Sequence, residues 1–366
     1  MATATAVAPP LRPDASSVAT ARAGFAGGAG YLAACTMGLP MRATVAAVAA
    51  DLSRASDGGA CPIEYGAVVE RTRGHYARLV SVPVDRVAIG SQTSVMISLI
   101  AAAVPHGAEI LCVEGDFSSV VLPFALGRGS DIRVRLVPLA SLADEIRADT
   151  WLVAYSLVQS ATGEIADAAA ISAAAARHGT FTLCDTTQAA GWMPVAAGEH
   201  DATVCHTYKW LCAPRGVAFL TLGSRLAAEL HPTQAGWYAG EDPWRSCYGG
   251  AVDLAADARR FDVSPAWQAF VGAEPAMELF ANLDPAALRD HCAGLAGAFR
   301  GRLGLEPGPG PGTSAIVTWN DPDGVDLERL RAAGIVASGR AGRARVAFHL
   351  FNDADDVDRS ATALGR

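Results

Sequence analysis

Residues 181–223 read FTLCDTTQAAGWMPVAAGEHDATVCHTYKWLCAPRGVAFLTLG. Three short apolar runs stand in it: FTLCD, ATVCHTY and VAFLTLG. They are unbroken where a half-exposed strand would alternate, which is the pattern of strands buried on both faces of a mainly parallel sheet. Asp185 ends the first run, which carries no other charge. Lys209 follows the second, 24 residues after that acid, with His206, Thr207 and Tyr208 beside it. Lys209 is also the only lysine among the 29 lysines and arginines of the chain. Arginine solvates a surface as well as lysine does, but its pKa stays above about 12, so it cannot lose its proton and attack a carbonyl. A buried lysine shifts its pKa readily and can form a Schiff base.

The same pattern extends outward from about residue 85 to 225. DRVAIG is followed by the helix-like SVMISLIAAAV, and then come AEILCVEG, IRVRLVPL and WLVAYSLV. DAAAISAAAARHG, between two apolar runs, reads as a helix with Asp167 capping its start and Gly179 its end. The alternation predicts an α/β domain with helices on both faces of the sheet. From about 225 to 265 the chain is aromatic, Gly-rich and irregular. AWQAFVGAEPAMELFANL and a stretch from about 286 to 303 read as helices, and GLEPGPGPGTS as a turn or linker. AIVTWN, a helix near 326–333, GIVAS, RARVAFHL and a final helix predict a small α+β unit. These readings divide the chain into an N-terminal arm over 1–30, a large α/β domain over 31–265 and a small C-terminal domain over 266–366. The Ala, Pro and Ser content of the arm reads as mobile.

Composition narrows the function class. The chain has 366 residues, 51% of them hydrophobic and 18% charged, with a net charge of −8 and a pI near 5.5. No basic stretch exists to neutralise phosphates, which argues against a nucleic-acid or anionic-membrane partner. No apolar run reaches the length that spans a bilayer, and the N-terminus lacks the h-region of a signal peptide. The eight cysteines are scattered with no CxxC, so neither a zinc site nor a disulfide framework is expected, and a reducing cytoplasm is.

Ligands of open α/β sheets bind beyond the carboxyl ends of the strands. GSQTS follows the first strand and opens a helix, so its backbone N–H groups and Ser91, Gln92 and Thr93 are candidates to hold a phosphate; each alone also reads as a helix cap. Asp185 is either a cap or the partner of a cationic ligand nitrogen. An acid at one strand end, a lone lysine at the next and an anion site fit pyridoxal phosphate, which needs all three.

These residues carry a family resemblance over about residues 30 to 365. In order, YLAACTMGLP, GSQTS, EGDFSS, VQSATGE, DTTQAAGW, HTYKWLCAPRGVAFL, GWYAG, RRFDVSP and RVAFHLFNDADDVD resemble the class V aminotransferase family of fold type I pyridoxal-phosphate enzymes. The likeness is greatest to its kynureninase-like, ergothioneine-type carbon–sulfur lyase and isopenicillin N epimerase-like branches. The resemblance implies a mainly parallel seven-stranded sheet in the large domain. It implies Lys209 as the Schiff-base lysine, Asp185 as partner of the pyridine nitrogen, Gln188 and Ser160 near the ring O3′, and Thr187 under the ring. Phe117 matches a ring-stacking position, with ordinary core packing as the alternative. Gln92, Thr93, His206 and Tyr208 match phosphate contacts. Trp237 and Ser264 match positions reaching the phosphate from a neighbouring subunit, which implies a homodimer with shared sites. Arg345 matches the arginine that forks onto the substrate α-carboxylate, with Arg340 and Arg343 as the neighbouring alternatives.

Departures from the family pattern bear on the reaction. RLRAAGIVASGRAG lacks the nucleophilic cysteine of cysteine desulfurases. GWYAG lacks the histidine of the kynureninase GWWGH, and Ala33 stands where Asp or Asn is usual. The expectation is a lyase cleaving at Cβ of an amino acid, foremost the C–S bond of a cysteine conjugate or, kynureninase-like, a C–C bond. An aminotransferase, epimerase or decarboxylating enzyme is the alternative.

Overall fold

The computed structural model describes residues 16–127, 132–306 and 310–366. Helices α1 (Ser16–Arg22), α2 (Arg42–Ser56) and α3 (Pro62–Leu79) precede the sheet. Strands β1 (Val87–Gly90), β2 (Glu109–Val113), β3 (Arg133–Val137), β4 (Thr150–Ser156), β5 (Phe181–Asp185), β6 (Ala202–His206) and β7 (Ala218–Leu222) make a seven-stranded sheet in the order β1-β7-β6-β5-β4-β2-β3. Strands β2 to β6 run parallel, while β7 is antiparallel to both β6 and β1. Helices α4 (Thr93–Ala101), α5 (Ser118–Ala125), α6 (Ala168–His178) and α7 (Ser224–Ala227) lie between strands or just after them.

The unbroken apolar runs have a direct cause. Successive residues of one strand point to opposite faces, and here both faces carry a core. Ile89, Leu111, Val153, Cys184 and Phe219 join Tyr76 of α3 and Ile171 of α6 on one face. Ala88, Ile110, Leu152, Leu183 and Leu220 join Ile100 of α4 and Phe124 of α5 on the other. Helix α6 is capped as its sequence predicts: the Asp167 side chain accepts from the Ala170 N–H, and Gly179 takes φ 70°.

Helices α8 (Trp267–Asn282) and α9 (Pro285–Leu303) follow, and then β8 (Ile316–Asn320), α10 (Val325–Ala332), β9 (Ser338–Arg340), β10 (Arg343–Ala347) and α11 (Ala354–Ala363). The three strands form a separate antiparallel sheet in the order β8-β10-β9. Phe299, Val317, Trp319, Leu330, Val346 and Val357 pack with Leu32 into its core. GIVAS contributes less strand than its composition suggests, because the Val336 backbone pairs with Gly30 and Leu32 instead.

Packing blurs two of the expected boundaries. Helix α8, assigned by sequence to the small domain, lies against α2 and α3. Of the expected arm, residues 1–15 lie outside the described residues. Residues 16–30 are ordered, with Phe25 buried in the main core and Arg22 paired with Asp353.

One buried ion pair ties these layers together next to the first strand. Arg73 of α3 and Asp262 are 1% and 0% exposed and meet at 2.6 Å. Asp262 also accepts the Ile89 N–H at 2.8 Å, so it fixes β1 just before the turn into α4. Burial pushes the Asp262 carboxyl up to about 6, with Arg73 working against that shift. Removing Asp262 leaves the buried Arg73 with only the half-exposed Glu70, 3.0 Å away, as a counter-charge. Asp262→Ala should therefore lower unfolding stability by about 3–5 kcal/mol in urea denaturation. A loss below about 1 kcal/mol would mean that solvent reaches Arg73 as soon as its partner goes.

Candidate active site

The carboxyl ends of β1, β4, β5 and β6 face one cavity of about 130 Å3. Gln92, Thr93, Phe117, Ser160, Asp185, Thr187, Gln188, His206, Tyr208 and Lys209 all line it. Ser94, Ser119, Ser156 and Arg215 line it as well, and sequence reading had not singled them out. Parallel strands end on the same edge of a sheet, so residues far apart in sequence arrive at one place.

Lys209 is 6% exposed, and its Nζ lies 5.0 Å from the centre of the Phe117 ring. Burial pushes its amine down to about 8, against an upward pull from Asp185. Asp185 is 5% exposed and is pushed up to about 6 by burial, against the Thr187 hydrogen bonds and the charge of Lys209. The Thr187 N–H donates to Asp185 Oδ1 at 2.8 Å. Burial disfavours the charged form of both acid and amine, and their partners compensate only in part.

The surrounding side chains hold one another. Gln188 donates to the Cys35 carbonyl at 2.9 Å and to Ser160 Oγ at 3.1 Å, and its Oε1 accepts from Trp210 Nε1 at 2.8 Å. Thr187 Oγ1 accepts the His206 N–H at 3.0 Å. Asp116 accepts from the Phe117 N–H at 2.6 Å, and from the Ser156 hydroxyl at 2.6 Å and N–H at 2.8 Å. The Phe117 ring is 43% exposed and lines the cavity, so core packing does not account for it. Gly38 brings the segment 31–40 against the lysine, and a Cβ there would lie 2.0 Å from the Lys209 carbonyl oxygen.

Arg345, on β10, is 1% exposed and reaches the same wall from the small sheet. Its Nη1 donates to the carbonyl and hydroxyl of Ser160, its Nη2 to Thr36 Oγ1 at 2.8 Å and its Nε to Ser338 Oγ at 3.1 Å. No carboxylate among the described residues pairs with it. Arg343 turns instead to Thr318 and Asn320, and Arg340 to the Gly339 carbonyl. Of the three candidates, Arg345 is the one that touches a cavity-lining residue. Trp237 and Ser264 do not line this chain's own cavity; Trp237 packs against Trp244, ring centres 5.1 Å apart.

Residues 57–308, more than half of the chain, match the model of the class V aminotransferases. The chain belongs to the class V aminotransferase family. It is a family of enzymes, and its cofactor is pyridoxal phosphate. The chain is 28% identical over 342 residues to isopenicillin N epimerase of Streptomyces clavuligerus, covering 82% of this chain and 85% of that one. It is 29% identical over 246 residues to the kynureninase of Deinococcus radiodurans, covering 64% of this chain and 59% of that one. The solved cystine C–S lyase C-DES, in complex with cysteine persulfide, superposes with a TM-score of 0.81 over 92% of this chain and 97% of that one. At 19% identity, that likeness shows a shared fold.

The residues of this class V chain fit the cofactor. His206 Nε2 is buried with no hydrogen-bond partner among the described residues. Burial, Arg215 and Lys209 push the His206 imidazole down to about 4, so it is neutral near pH 7, with a ring nitrogen left for a ligand in the cavity it lines. Arg215 stacks over Tyr208 at 4.3 Å and adds a permanent positive charge to the lining. Arg215 lies in HTYKWLCAPRGVAFL, one of the stretches that carry the family resemblance, but it falls six residues past Lys209 in a loop, where no periodicity assigns it a face.

With the amine held near 8, the neutral fraction of Lys209 grows through pH 7 to 9, where an exposed lysine would still be charged. Acetic anhydride labelling of the cofactor-free protein, read by peptide mass analysis, should show Lys209 reacting with a midpoint near pH 8. A midpoint above about 10 would mean that the amine reaches bulk water.

Proposed function

We propose that the enzyme holds pyridoxal phosphate on Lys209 and acts at the α-carbon of an amino acid, cleaving a bond at Cβ. The observation that carries this reading is the convergence of the chain's one lysine, depressed to about 8, with the buried acid Asp185 in a single cavity. Pyridoxal phosphate supplies an electron sink for negative charge developing at the α-carbon. Asp185 would sit against the pyridine nitrogen and keep it protonated. Gln92, Thr93, His206, Tyr208 and Arg215 would surround the phosphate, Phe117 would cover the ring, and Gln188 with Ser160 would face its O3′ side. Arg345 would take the substrate carboxylate. To do so it must give up hydrogen bonds to Ser160 and Thr36, since its donors are largely taken.

Cleavage of a Cβ–S bond needs a group that accepts the α-proton, which an amine can do once the substrate's own amine has displaced it from the cofactor, and a proton for the departing thiolate. The lining contains one amine, Lys209, and its depressed pKa suits both halves of that transfer. Among Cβ cleavages we favour the C–S bond of a cysteine conjugate, because GWYAG lacks the kynureninase histidine. Epimerisation at the α-carbon is the second reading, favoured by the match to isopenicillin N epimerase over 85% of that enzyme. Incubation with cysteine conjugates, kynurenine and free amino acids, assayed for pyruvate, thiol, keto acid and inverted stereochemistry, separates the two. Thiol and pyruvate support the lyase, and inverted amino acid with no keto product supports the epimerase. Arg345→Lys should raise the apparent KM for the active substrate about ten- to hundred-fold while sparing cofactor uptake. A protein that takes up no pyridoxal phosphate overturns the proposal.

We further propose a homodimer with shared sites, working in the cytoplasm. The eight unpaired cysteines favour a reducing compartment, and no described helix is long and apolar enough to cross a membrane. An apolar groove lined by Met37, Val45, Val48, Leu52 and Pro214 adjoins Tyr208 and Arg215 at the cavity, and it suits a second copy. Trp237 and Ser264, which do not line their own cavity, would then complete the partner's phosphate site. Mixing inactive Lys209→Ala and Trp237→Ala subunits should restore one working site per heterodimer. Exchange without recovered activity would mean that each chain completes its own site.

A further inference from the structure

A second cavity of about 350 Å3 lies between the turn at 162–165, the end of α9 and the small sheet. Arg300, Arg343, Glu164 and Glu306 line it, and none of the four forms an ion pair with any described residue. Arg300 is half-buried and bonds only to the Ile316 carbonyl at 3.0 Å. Arg343 bonds to the neutral groups of Thr318 and Asn320. Burial alone lowers the pKa of Arg300 and raises that of Glu164, so each is desolvated with no opposite charge beside it. Free side chains of opposite sign on one surface normally close on each other, and a desolvated charge gains most from a partner. Here they stay apart across a space of small-ligand size.

We propose that this cavity binds a free α-amino acid, its carboxylate on Arg300 and Arg343 and its ammonium on Glu164. A zwitterion is the ligand that satisfies both signs at once. The guanidinium forks match a carboxylate, while Glu164 has no donor among the described side chains. The cavity is separate from the cofactor site but connected to it by a short turn. Gln159 N–H donates to the Glu164 carbonyl and Gly163 N–H to the Gln159 carbonyl, each at 2.8 Å. The same turn therefore presents Glu164 to this cavity and Ser160 to Arg345.

The test is equilibrium binding of labelled L-alanine, L-glutamate and L-phenylalanine to the holoenzyme after borohydride reduction, together with acetate and methylamine as half-ligands. Reduction fixes the cofactor on Lys209 as a secondary amine, which stops both turnover and capture of a ligand's amine by the cofactor, so the result stands whether or not the proposed reaction is right. One of the amino acids should bind in a 1:1 ratio with Arg345→Ala added, which removes the proposed carboxylate seat of the cofactor cavity. Glu164→Gln and Arg300→Met should each weaken that binding about tenfold or more, with unchanged far-UV circular dichroism; Glu164→Gln preserves size and serves if Arg300→Met fails to fold. Acetate and methylamine should bind at least about tenfold more weakly than the amino acid. Acetate binding as tightly as the amino acid, or binding unchanged by Glu164→Gln, overturns the assignment. So does the absence of binding by all three amino acids.

Discussion

Two opposite charges buried at the ends of neighbouring strands are what the rest of this structure is arranged around. Asp185 ends β5 and Lys209 follows β6, each about 95% removed from water. The shifts to about 6 and about 8 correspond to roughly 3 kcal/mol for each group when it carries its full charge. The signs are opposite in pH. The raised acid costs stability above about pH 6 and is relieved toward its ordinary value of 3.8. The depressed amine costs stability below about pH 8 and is relieved toward 10.5. Between those limits the fold keeps a carboxylate and an ammonium whose burial a ligand can offset, as groups in functional sites commonly do.

The scaffold offsets that cost with two cores. Alternate residues of the same strands face α3, α6 and α8 on one side and α4 and α5 on the other, so the sheet that carries Asp185 and His206 is rigid on both faces. The segment 31–40 adds a clamp that spans both units. It pairs with the small sheet through Leu32, touches Arg345 through Thr36, supports Gln188 through the Cys35 carbonyl and lies on the Lys209 backbone at Gly38. Ala33, where the family usually carries Asp or Asn, forms a bridge with Ala347, so this position contributes backbone pairing in place of a polar side chain.

Local signals in the sequence were sufficient for most elements. Each of the seven strand-like runs from DRVAIG to VAFLTLG became a strand; six are buried on both faces, while β3, at the sheet edge, leaves Arg133 and Leu136 exposed. Asp167 and Gly179 bounded α6 because capping is decided within a few residues. Boundaries that depend on distant packing were less legible. Helix α8 has apolar residues enough for either unit, and only its fit against α2 and α3 assigns it. The arm from residue 16 onward carries few signals beyond Phe25, yet that buried ring, the Arg22–Asp353 pair and the Gly30 N–H donating to Asp356 at 2.6 Å dock it.

The sequence by itself determined the chemistry available: one lysine, one acid closing an otherwise uncharged strand, an arginine on an alternating strand and a polar turn after β1. Residue identity settles which groups can lose or hold a proton, and strand periodicity settles that Asp185 and Lys209 come at strand ends. Tertiary structure alone decided which groups meet. Arg215, Asp116, Ser156 and Thr36 have no pattern that marks them, yet they line the cavity or hold its walls. It also decided which of Arg340, Arg343 and Arg345 reaches Ser160, because only the packing of the small sheet against the 158–165 turn brings one guanidinium there. Periodicity is a property of neighbours in the chain, whereas desolvation and hydrogen-bond partners depend on what the fold brings within a few ångströms.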